Sequence, residues 1–248
     1  GMLTWGFDQL GTMATIYNYD YYPKHMEKLG GWEKDNDYVE YRLDVPETAP
    51  EKYTKIAEMV EKRYNLHARK LTKKEIFEGG YGKKLFDLIN VTYSHLYGFS
   101  ELSERQIDQY VKMYFPLADL DLITVVEDGN KDNQLVGLAI TIPSLTRALQ
   151  KCHRGRLFPF GWWYLLRAIK FHKTEVVDLL LIGVLPEYRS KGANSLVFAD
   201  LIPRYVKYGF KWGETHVEME TNESVQSQWG PLDPTMHKKR RCYRKAIG

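Results

Sequence analysis

Residues 176–202 constrain the fold of this chain more than any other stretch. Residues 176–185 form an almost uninterrupted apolar run, which predicts a strand buried on both faces. Pro186 ends that strand, and from residue 196 the apolar residues recur at the spacing of one helix face. The two elements are joined by a short polar turn that carries Arg189, Lys191 and Gly192. The sequence therefore predicts a strand, a basic turn and a helix in direct succession.

The turn between this strand and this helix has the chemistry of an anion site. A helix that begins after such a turn presents unpaired backbone N–H groups and the positive end of its dipole. An anion, most simply a phosphate group, is the natural occupant of that position. Because most strand–turn–helix units are scaffolding with solvated basic residues, the turn alone leaves both interpretations open.

The overall composition argues against several classes of function. The 248 residues include 35 Lys and Arg against 32 Asp and Glu, a balance that argues against nucleic-acid binding. The basic run at residues 237–241 is accordingly interpreted as a solvated strand edge. Two cysteines, Cys152 and Cys242, cannot form a disulfide framework, and no Cys/His spacing indicates zinc. We expect a cytoplasmic protein without a transmembrane segment or a metal.

The rest of the chain alternates between helical and extended patterns. Short strands, helices and one aromatic excursion follow each other without internal repeats, and residues 46–50 are predicted to be a linker. The predicted helices lie at 24–29, 51–64, 82–97 and 103–114, the last with a Ser103–Gln106 capping box, and from 196 onwards. The predicted strands lie at 37–43, 66–71, 120–126, 135–142, 176–185, 215–221 and 238–247.

The aromatic excursion at residues 157–164 admits two interpretations. The segment reads Leu-Phe-Pro-Phe-Gly-Trp-Trp-Tyr and is followed by a basic helix that reaches Lys170. Such a segment suits a membrane surface or a partner protein. We favour the simpler interpretation, in which the aromatic side chains cover the edge of the core or line its cleft.

The order of elements and residues 184–194, Val-Leu-Pro-Glu-Tyr-Arg-Ser-Lys-Gly-Ala-Asn, resemble the GNAT superfamily of acyl-CoA-dependent N-acyltransferases. The signature of that superfamily is Val-x-Pro-x-x-Arg/Gln-x-x-Gly-x-Gly/Ala. Stretches at 155–161, 220–222 and 239–243 are similar to a branch of bacterial proteins with two GNAT-like halves. The resemblance implies an α/β (α+β) fold, with a mixed, mostly antiparallel central sheet, flanking helices and a V-shaped cofactor cleft.

The resemblance also implies a division of the chain. Residues 2–46 resemble the tail of a first GNAT-like half, and residues 47–65 would be a linker and a helix. Residues 66–248 resemble a GNAT-like acyltransferase domain.

Cofactor contacts follow from the resemblance position by position. Backbone groups of Ile182, Gly183 and Val184 would pair with the pantetheine arm of acetyl-CoA or another acyl-CoA. The resemblance also implies that Asn222, which follows the next predicted strand, contacts the pantetheine arm. It implies that the pyrophosphate binds to the backbone amides of Arg189, Ser190, Lys191, Gly192, Ala193 and Asn194. Asn194 departs from the signature, which has Gly or Ala at that position.

In this superfamily an amine attacks the thioester directly, with a base, a carbonyl-polarising amide and a proton donor for the thiolate. Glu218 and Glu220 alternate along a predicted strand, and they are either candidate bases or a solvated strand face. Tyr243 is either the proton donor or a packed aromatic residue. Neither a metal nor a covalent nucleophile is implied.

The sequence therefore predicts transfer of an acyl group, acetyl in the simplest case, from acyl-CoA to an amine. The acceptor would be a small-molecule or peptide amine, and its identity and the oligomeric state are not set by the sequence. One alternative is a GNAT-fold binding module without turnover, which Asn194 favours. Another is an aminoacyl or long-chain acyl transferase, in which the aromatic segment houses a larger acyl group.

Overall fold

A computed structural model describes residues 1–48 and 50–247 of the chain. The predicted linker at 46–50 and the predicted end of the last domain at residue 248 therefore lie partly outside the described residues. The chain divides into two compact units. Unit 1 comprises residues 1–45, 143–178 and 210–248, and unit 2 comprises residues 46–142 and 179–209. The sequence-based division into a tail, a linker and a domain stays a prediction.

The strands, in chain order, are β1 (Met2–Trp5), β2 (Glu33–Asp44), β3 (Leu66–Arg69), β4 (Ile123–Asp128), β5 (Gln134–Pro143), β6 (Val176–Val184), β7 (Trp212–Thr215), β8 (Glu218–Met219) and β9 (Thr235–Arg244). The helices are α1 (Tyr21–Leu29), α2 (Glu51–Tyr64), α3 (Lys73–Phe77), α4 (Tyr81–Tyr93), α5 (Glu104–Tyr114), α6 (Thr146–Lys151), α7 (Gly161–Phe171), α8 (Pro186–Arg189), α9 (Ala193–Tyr208) and α10 (Glu223–Gln226). This is the mixed α/β fold, with a large and mostly antiparallel sheet flanked by helices, that the resemblance implied.

The sheet of unit 2 forms one wall of an apolar core. Its strand order is β6-β5-β4-β3, and every residue of β4 is buried. The predicted hairpin of β4 and β5 is confirmed, with antiparallel pairs such as Ile123 opposite Ile140. Leu85 and Ile89 of α4 and Ile107 of α5 pack against this wall, because their apolar residues repeat at helical spacing. The Ser103–Gln106 capping box at the start of α5 is also confirmed.

The sheet of unit 1 has the strand order β1-β9-β2-β7-β6, and β8 also pairs with β2. Strands β2 and β9 form its longest antiparallel ladder, from Glu33 opposite Arg244 to Arg42 opposite Thr235. Strand β1 was not predicted, because its four residues are too few to show an alternating pattern. It pairs antiparallel with β9, so that β9 is an interior strand.

The single strand predicted at residues 215–221 is wrong, because the chain leaves the ladder after Thr215 and returns to it only at Glu218 and Met219. The Thr215 hydroxyl accepts a hydrogen bond from the backbone N–H of Tyr41 on β2 at 2.9 Å. That side chain satisfies a group that a regular strand would pair with backbone, and the irregularity separates β7 from β8.

The interpretation of residues 237–241 as a solvated edge is wrong, because β1 and β2 lie on the two sides of β9. Lys238 and Arg240 are 1% and 2% exposed and point to one face of the strand. The Lys238 ammonium lies 2.8 Å from a Glu40 carboxylate oxygen and also contacts Glu214. Arg240 donates to Glu40 at 2.5 Å. Buried cations of this kind are retained only when carboxylates face them.

Removal of one ion from this buried group should destabilise unit 1 strongly. Lys238→Met should lower the free energy of unfolding by about 3–5 kcal/mol, because it leaves the buried Glu214 carboxylate without its cation and Glu40 with Arg240 alone. Chemical denaturation measures the loss. Lys245→Met, which removes an exposed lysine, is the matched control. Equal losses in the two variants would contradict this account of β9.

Candidate functional site

The predicted strand–turn–helix lies in unit 2 and contains more helix than expected. After β6, residues Pro186–Arg189 form the single helical turn α8, and α9 begins at Ala193, three residues before the predicted start. Gly192 lies between them in a left-handed conformation with φ of 80°. A Cβ atom there would lie 3.2 Å from Val60 and 3.3 Å from Ile56. Both the backbone conformation and the space therefore favour glycine at this position.

The backbone amides of the turn fall into two groups. Those of Lys191 and Gly192 donate to the carbonyl oxygens of Tyr188 and Arg189, at 3.2 Å and 3.3 Å. Ala193 and Asn194 are the first two residues of α9, so their N–H groups have no acceptor within the helix. These two amides are the donors that the turn can offer to an anion, at the positive end of a helix of 16 residues.

Two cations precede these amides in the chain. The Arg189 side chain donates to the carbonyl oxygen of Val184 at 3.0 Å, and the Lys191 ammonium lies 4.3 Å from the centroid of the Tyr188 ring. Over the ranges 1–48 and 50–247, neither forms an ion pair with a carboxylate. Their charges therefore remain available to an anion at the turn.

The backbone N–H and carbonyl groups of Ile182 on β6 are paired with a side chain that the sequence did not indicate. The Tyr93 hydroxyl accepts a hydrogen bond from the N–H of Ile182 at 3.2 Å and donates to its carbonyl oxygen at 3.0 Å. Gly183 is closely covered, since a Cβ atom there would lie 2.7 Å from the Thr92 hydroxyl oxygen. Tyr93 lies within the helix predicted at 82–97, and nothing in the spacing of that helix indicates a polar role for its hydroxyl.

The interior of β6 is less buried than its sequence predicts. Its first three and last two residues are buried, but Leu179, Leu180, Leu181 and Ile182 are only half-buried. The prediction of a strand buried on both faces is therefore wrong for its central part. Four consecutive apolar residues of unit 2, two on each face of the strand, remain partly accessible.

In unit 1, Glu218 has the properties of a base that titrates near neutral pH. Its two carboxylate oxygens accept hydrogen bonds from the indole N–H of the buried Trp229 at 3.0 Å and 3.1 Å. Burial raises the pKa of Glu218 to about 7, because the charged form loses hydration and no cation replaces it. A carboxyl group with that pKa can release and take up a proton near neutral pH.

Glu220, two residues later, lies in the opposite electrostatic environment. Its carboxylate accepts from the ammonium groups of Lys239 and Lys34, at 2.5 Å and 2.7 Å. These hydrogen bonds lower the pKa of Glu220 from its usual value. Glu218 and Glu220, which alternate in the sequence, thus have pKa values shifted in opposite directions.

The remaining predicted residues of unit 1 have local structural contacts. The Asn222 side chain accepts a hydrogen bond from the N–H of Val225 at 3.4 Å and so caps the short helix α10. Tyr243 on β9 is half-buried, and burial raises the pKa of its hydroxyl. The predicted residues 182–184 and 189–194 belong to unit 2, whereas Glu218, Glu220, Asn222 and Tyr243 belong to unit 1.

A buried acidic group in unit 1 escaped the sequence analysis, because Asp178 lies inside the apolar run. Its Oδ1 atom is buried without a hydrogen-bond partner. Burial, together with the charge of nearby Glu214, raises the pKa of Asp178 to about 7. Burial also lowers the pKa of His237 to about 4, so this imidazole is neutral beside Glu214.

Neither a metal centre nor a membrane span is found in the part of the chain that the structure describes. No group of three or more His, Cys, Asp or Glu side chains is placed to hold a metal ion within residues 1–48 and 50–247. Among the same residues, no helix combines the length and the apolar character needed to cross a bilayer.

The fold has clear relatives among solved structures. A GCN5-related N-acetyltransferase from Sphaerobacter thermophilus superposes with a TM-score of 0.55 at 12% identity, over 90% of this chain and 55% of that one. The chain has a GNAT-like fold. No family model matches the chain.

Two curated proteins with similar sequences extend over all of this chain. The chain is 22% identical to a bacterial ceramide synthase of Caulobacter vibrioides and 23% identical to Protein YghO of Escherichia coli strain K12. It spans 63% and 62% of their respective lengths. At these low identities, the two relatives do not assign a substrate to this chain.

The raised pKa of Asp178 makes a prediction about stability. In the unfolded chain this carboxyl loses its proton near pH 4 and in the folded protein near pH 7, so the stability of the folded state falls as pH rises between these values. Asp178→Asn removes the titration. Its free energy of unfolding should therefore rise relative to the unsubstituted protein by about 4 kcal/mol between pH 4 and pH 8.

Urea denaturation across that pH range measures the difference. Glu175→Gln, an exposed carboxyl neutralised just before β6, is the matched control and should show no such divergence. Parallel pH profiles for Asp178→Asn and the unsubstituted protein would refute the raised pKa.

Proposed function

We propose that this protein transfers an acyl group from an acyl-CoA to an amine. The observation that carries the proposal is the turn after β6, in a GNAT-like fold. Two unpaired helix-terminal amides and two cations without carboxylate partners lie there beside a glycine in the left-handed conformation. That arrangement suits the pyrophosphate of coenzyme A, which carries its negative charge on several oxygens.

The half-buried centre of β6 supports a long acyl chain rather than acetyl alone. Leu180 and Ile182 share the face of β6 opposite to Leu181, which packs against the core, and they offer partly accessible apolar side chains in unit 2. A ceramide is the amide of a fatty acid and a long-chain amine, and one relative is a ceramide synthase. We therefore favour a fatty acyl-CoA as donor and the amino group of an amphiphile as acceptor, with acetyl transfer as the simpler alternative.

The reaction needs one proton acceptor and one proton donor. The amine nitrogen attacks the thioester carbonyl, the C–N bond forms, and the C–S bond breaks to release the coenzyme A thiolate. Glu218 suits the role of proton acceptor, since its carboxylate is oriented by Trp229 and titrates near neutral pH. Glu220 suits it less, because Lys34 and Lys239 stabilise its charged form. Tyr243 stays the predicted donor to the thiolate.

The role proposed for residues 182–184 requires an exchange of partners. In a GNAT-like site the pantetheine arm pairs with the strand backbone, but the Tyr93 hydroxyl holds both backbone groups of Ile182. Binding of acyl-CoA in this way would therefore displace the Tyr93 hydroxyl. The same contact, together with Asn194, favours the second candidate function, a binding module without turnover.

The Asn194 position allows a test that separates binding from folding. Asn194→Asp places a carboxylate beside the proposed pyrophosphate, and it should weaken binding of acyl-CoA by about tenfold or more. The stability of the protein should stay equal or increase slightly, because an acidic residue in the first turn of a helix is favourable. Calorimetric titration with palmitoyl-CoA and acetyl-CoA measures the affinity.

Asn133→Asp makes the same chemical change at an exposed position in unit 2 and is the matched control. Unchanged affinity in Asn194→Asp would place the coenzyme elsewhere. Binding without release of free thiol, across a panel of long-chain and short amines, would favour the non-catalytic module.

Glu218 makes a prediction about rate and pH. The kcat/KM for thiol release should rise with pH through about pH 7, because the carboxylate form of Glu218 accepts the proton of the amine. Glu218→Gln keeps an acceptor for Trp229 but cannot take up a proton, and it should lower kcat/KM by about 10²–10⁴-fold. A coupled thiol assay from pH 5.5 to pH 8.5 measures both effects.

Glu223→Gln, which neutralises an exposed carboxylate nearby in the sequence, is the control for a nonspecific charge effect. Glu220→Gln compares the two predicted bases directly and should cause a much smaller loss. A larger loss in Glu220→Gln than in Glu218→Gln would reverse this assignment.

A further inference from the structure

Residues 145–174 in unit 1, which contain α6 and α7, carry a charge unlike the rest of the chain. This hairpin includes seven of the 35 Lys and Arg residues and none of the 32 Asp and Glu residues. All seven basic side chains are exposed, and in the described part of the chain none of them pairs with a carboxylate. A balanced protein thus has one strongly positive surface.

The same hairpin exposes its largest apolar side chains. Residues 153–160, between the two helices, are all exposed, and Phe158 and Phe160 retain 78% and 68% of their accessible surface. Trp162 and Trp163 in the first turn of α7 are also exposed, as is Phe171 at its end. The interpretation that this aromatic segment covers the core or lines a cleft is therefore wrong for these residues.

The packing of the hairpin explains why large side chains point outward. Its buried positions are small residues, namely Ala148, Cys152, Gly161 and Ala168. A Cβ atom on Gly161 would lie 2.2 Å from the carbonyl oxygen of Arg156, so the chain passes too closely for any side chain there. The two helices hold together through small residues, and Phe and Trp side chains are left for contacts outside the protein.

A cationic cavity lies at the base of the hairpin. It has a volume of about 340 Å³, and Arg147, Lys151, Arg167 and Lys173 contribute four positive charges to its lining. Glu175 is the single carboxylate in the lining. A phosphate group fits such a cavity, because several cations can neutralise its charge and donate hydrogen bonds to its oxygens.

We propose that the hairpin is a docking surface for a bilayer that contains anionic phospholipids. Phe158, Phe160 and the two tryptophans enter the interfacial region, where aromatic rings are favoured, and the basic side chains contact the lipid phosphates. The cavity holds the phosphate of one headgroup. The proposal stands on the charge and exposure of unit 1 alone, and so it is independent of acyl transfer.

Charge and shape together select this occupant over others. A second copy of the hairpin would bring two strongly positive surfaces together, which is unfavourable. A nucleic-acid duplex would explain the basic residues, but the exposed Phe158 and Phe160 would have no role on its phosphate backbone. An anionic bilayer accounts for both the cations and the exposed apolar rings.

Vesicle sedimentation with the complete chain tests the proposal. Binding to vesicles of phosphatidylcholine with 30% phosphatidylglycerol should exceed binding to phosphatidylcholine alone by at least about tenfold, and should fall in 0.5 M salt. Phe158→Ser combined with Phe160→Ser should lower binding by about tenfold. Arg147→Gln combined with Arg167→Gln should lower it by about 25-fold, at about fivefold for each charge.

Two control variants alter comparable residues outside the hairpin. Met59→Ser removes an exposed apolar side chain of α2, and Lys52→Gln combined with Lys62→Gln removes two exposed charges of the same helix. Both should bind vesicles as the unsubstituted protein does. Circular dichroism verifies that the hairpin variants remain folded.

Three outcomes would overturn the proposal. One is equal binding to neutral and anionic vesicles. Another is equal binding by hairpin variants and controls, and the third is absence of binding to any vesicle. Titration with inorganic phosphate distinguishes a free anion from a headgroup: phosphate binding that Arg147→Gln and Arg167→Gln abolish, without vesicle binding, would identify a soluble phosphate site instead.

Discussion

The ion group formed by Lys238, Arg240, Glu40 and Glu214 is the interaction on which unit 1 depends. These charged side chains are removed from water, and each is tolerable only because an opposite charge lies within contact distance. The pairing also fixes register, since a shift of β9 by one residue would turn Lys238 and Arg240 to the other face. Buried ion pairs, rather than aliphatic side chains, therefore specify the register of β9 in the sheet of unit 1.

Carboxyl groups of unit 1 that are buried without a cation have pKa values raised toward neutrality. Glu40 faces two cations and has a lowered pKa, whereas Glu218 has only neutral hydrogen-bond donors and a pKa of about 7. Asp178 differs from Glu218 in that no donor reaches its Oδ1 atom. One physical effect, the loss of hydration, thus yields structural ions where cations are supplied and candidate proton acceptors where they are not.

Sequence patterns correctly predicted the elements whose residue spacing is compatible with only one type of secondary structure. The bounds of α2 at Glu51–Tyr64, the capping box of α5 and the β4–β5 hairpin followed from periodicity and turn residues. The burial of Lys238 and Arg240 did not, because a continuous run of basic residues describes a solvated strand edge equally well until the two neighbouring strands are known. The contact of Tyr93 with Ile182 joins residues 89 positions apart, and no local pattern encodes it.

The hydrogen bonds of Tyr93 and the chemistry proposed for the turn both affect the free energy with which acyl-CoA would bind. In the free protein the Tyr93 hydroxyl satisfies both backbone groups of Ile182, so β6 carries no unpaired backbone group at this residue. An acyl-CoA arm, which contains amide groups, can replace the hydroxyl with bonds of the same kind, so this exchange gains little free energy by itself. Under the proposed function, affinity then comes from the pyrophosphate at Ala193 and Asn194 and from the acyl chain on Leu180 and Ile182. A short acyl group would forgo the second contribution, which is the physical reason for favouring a long-chain donor.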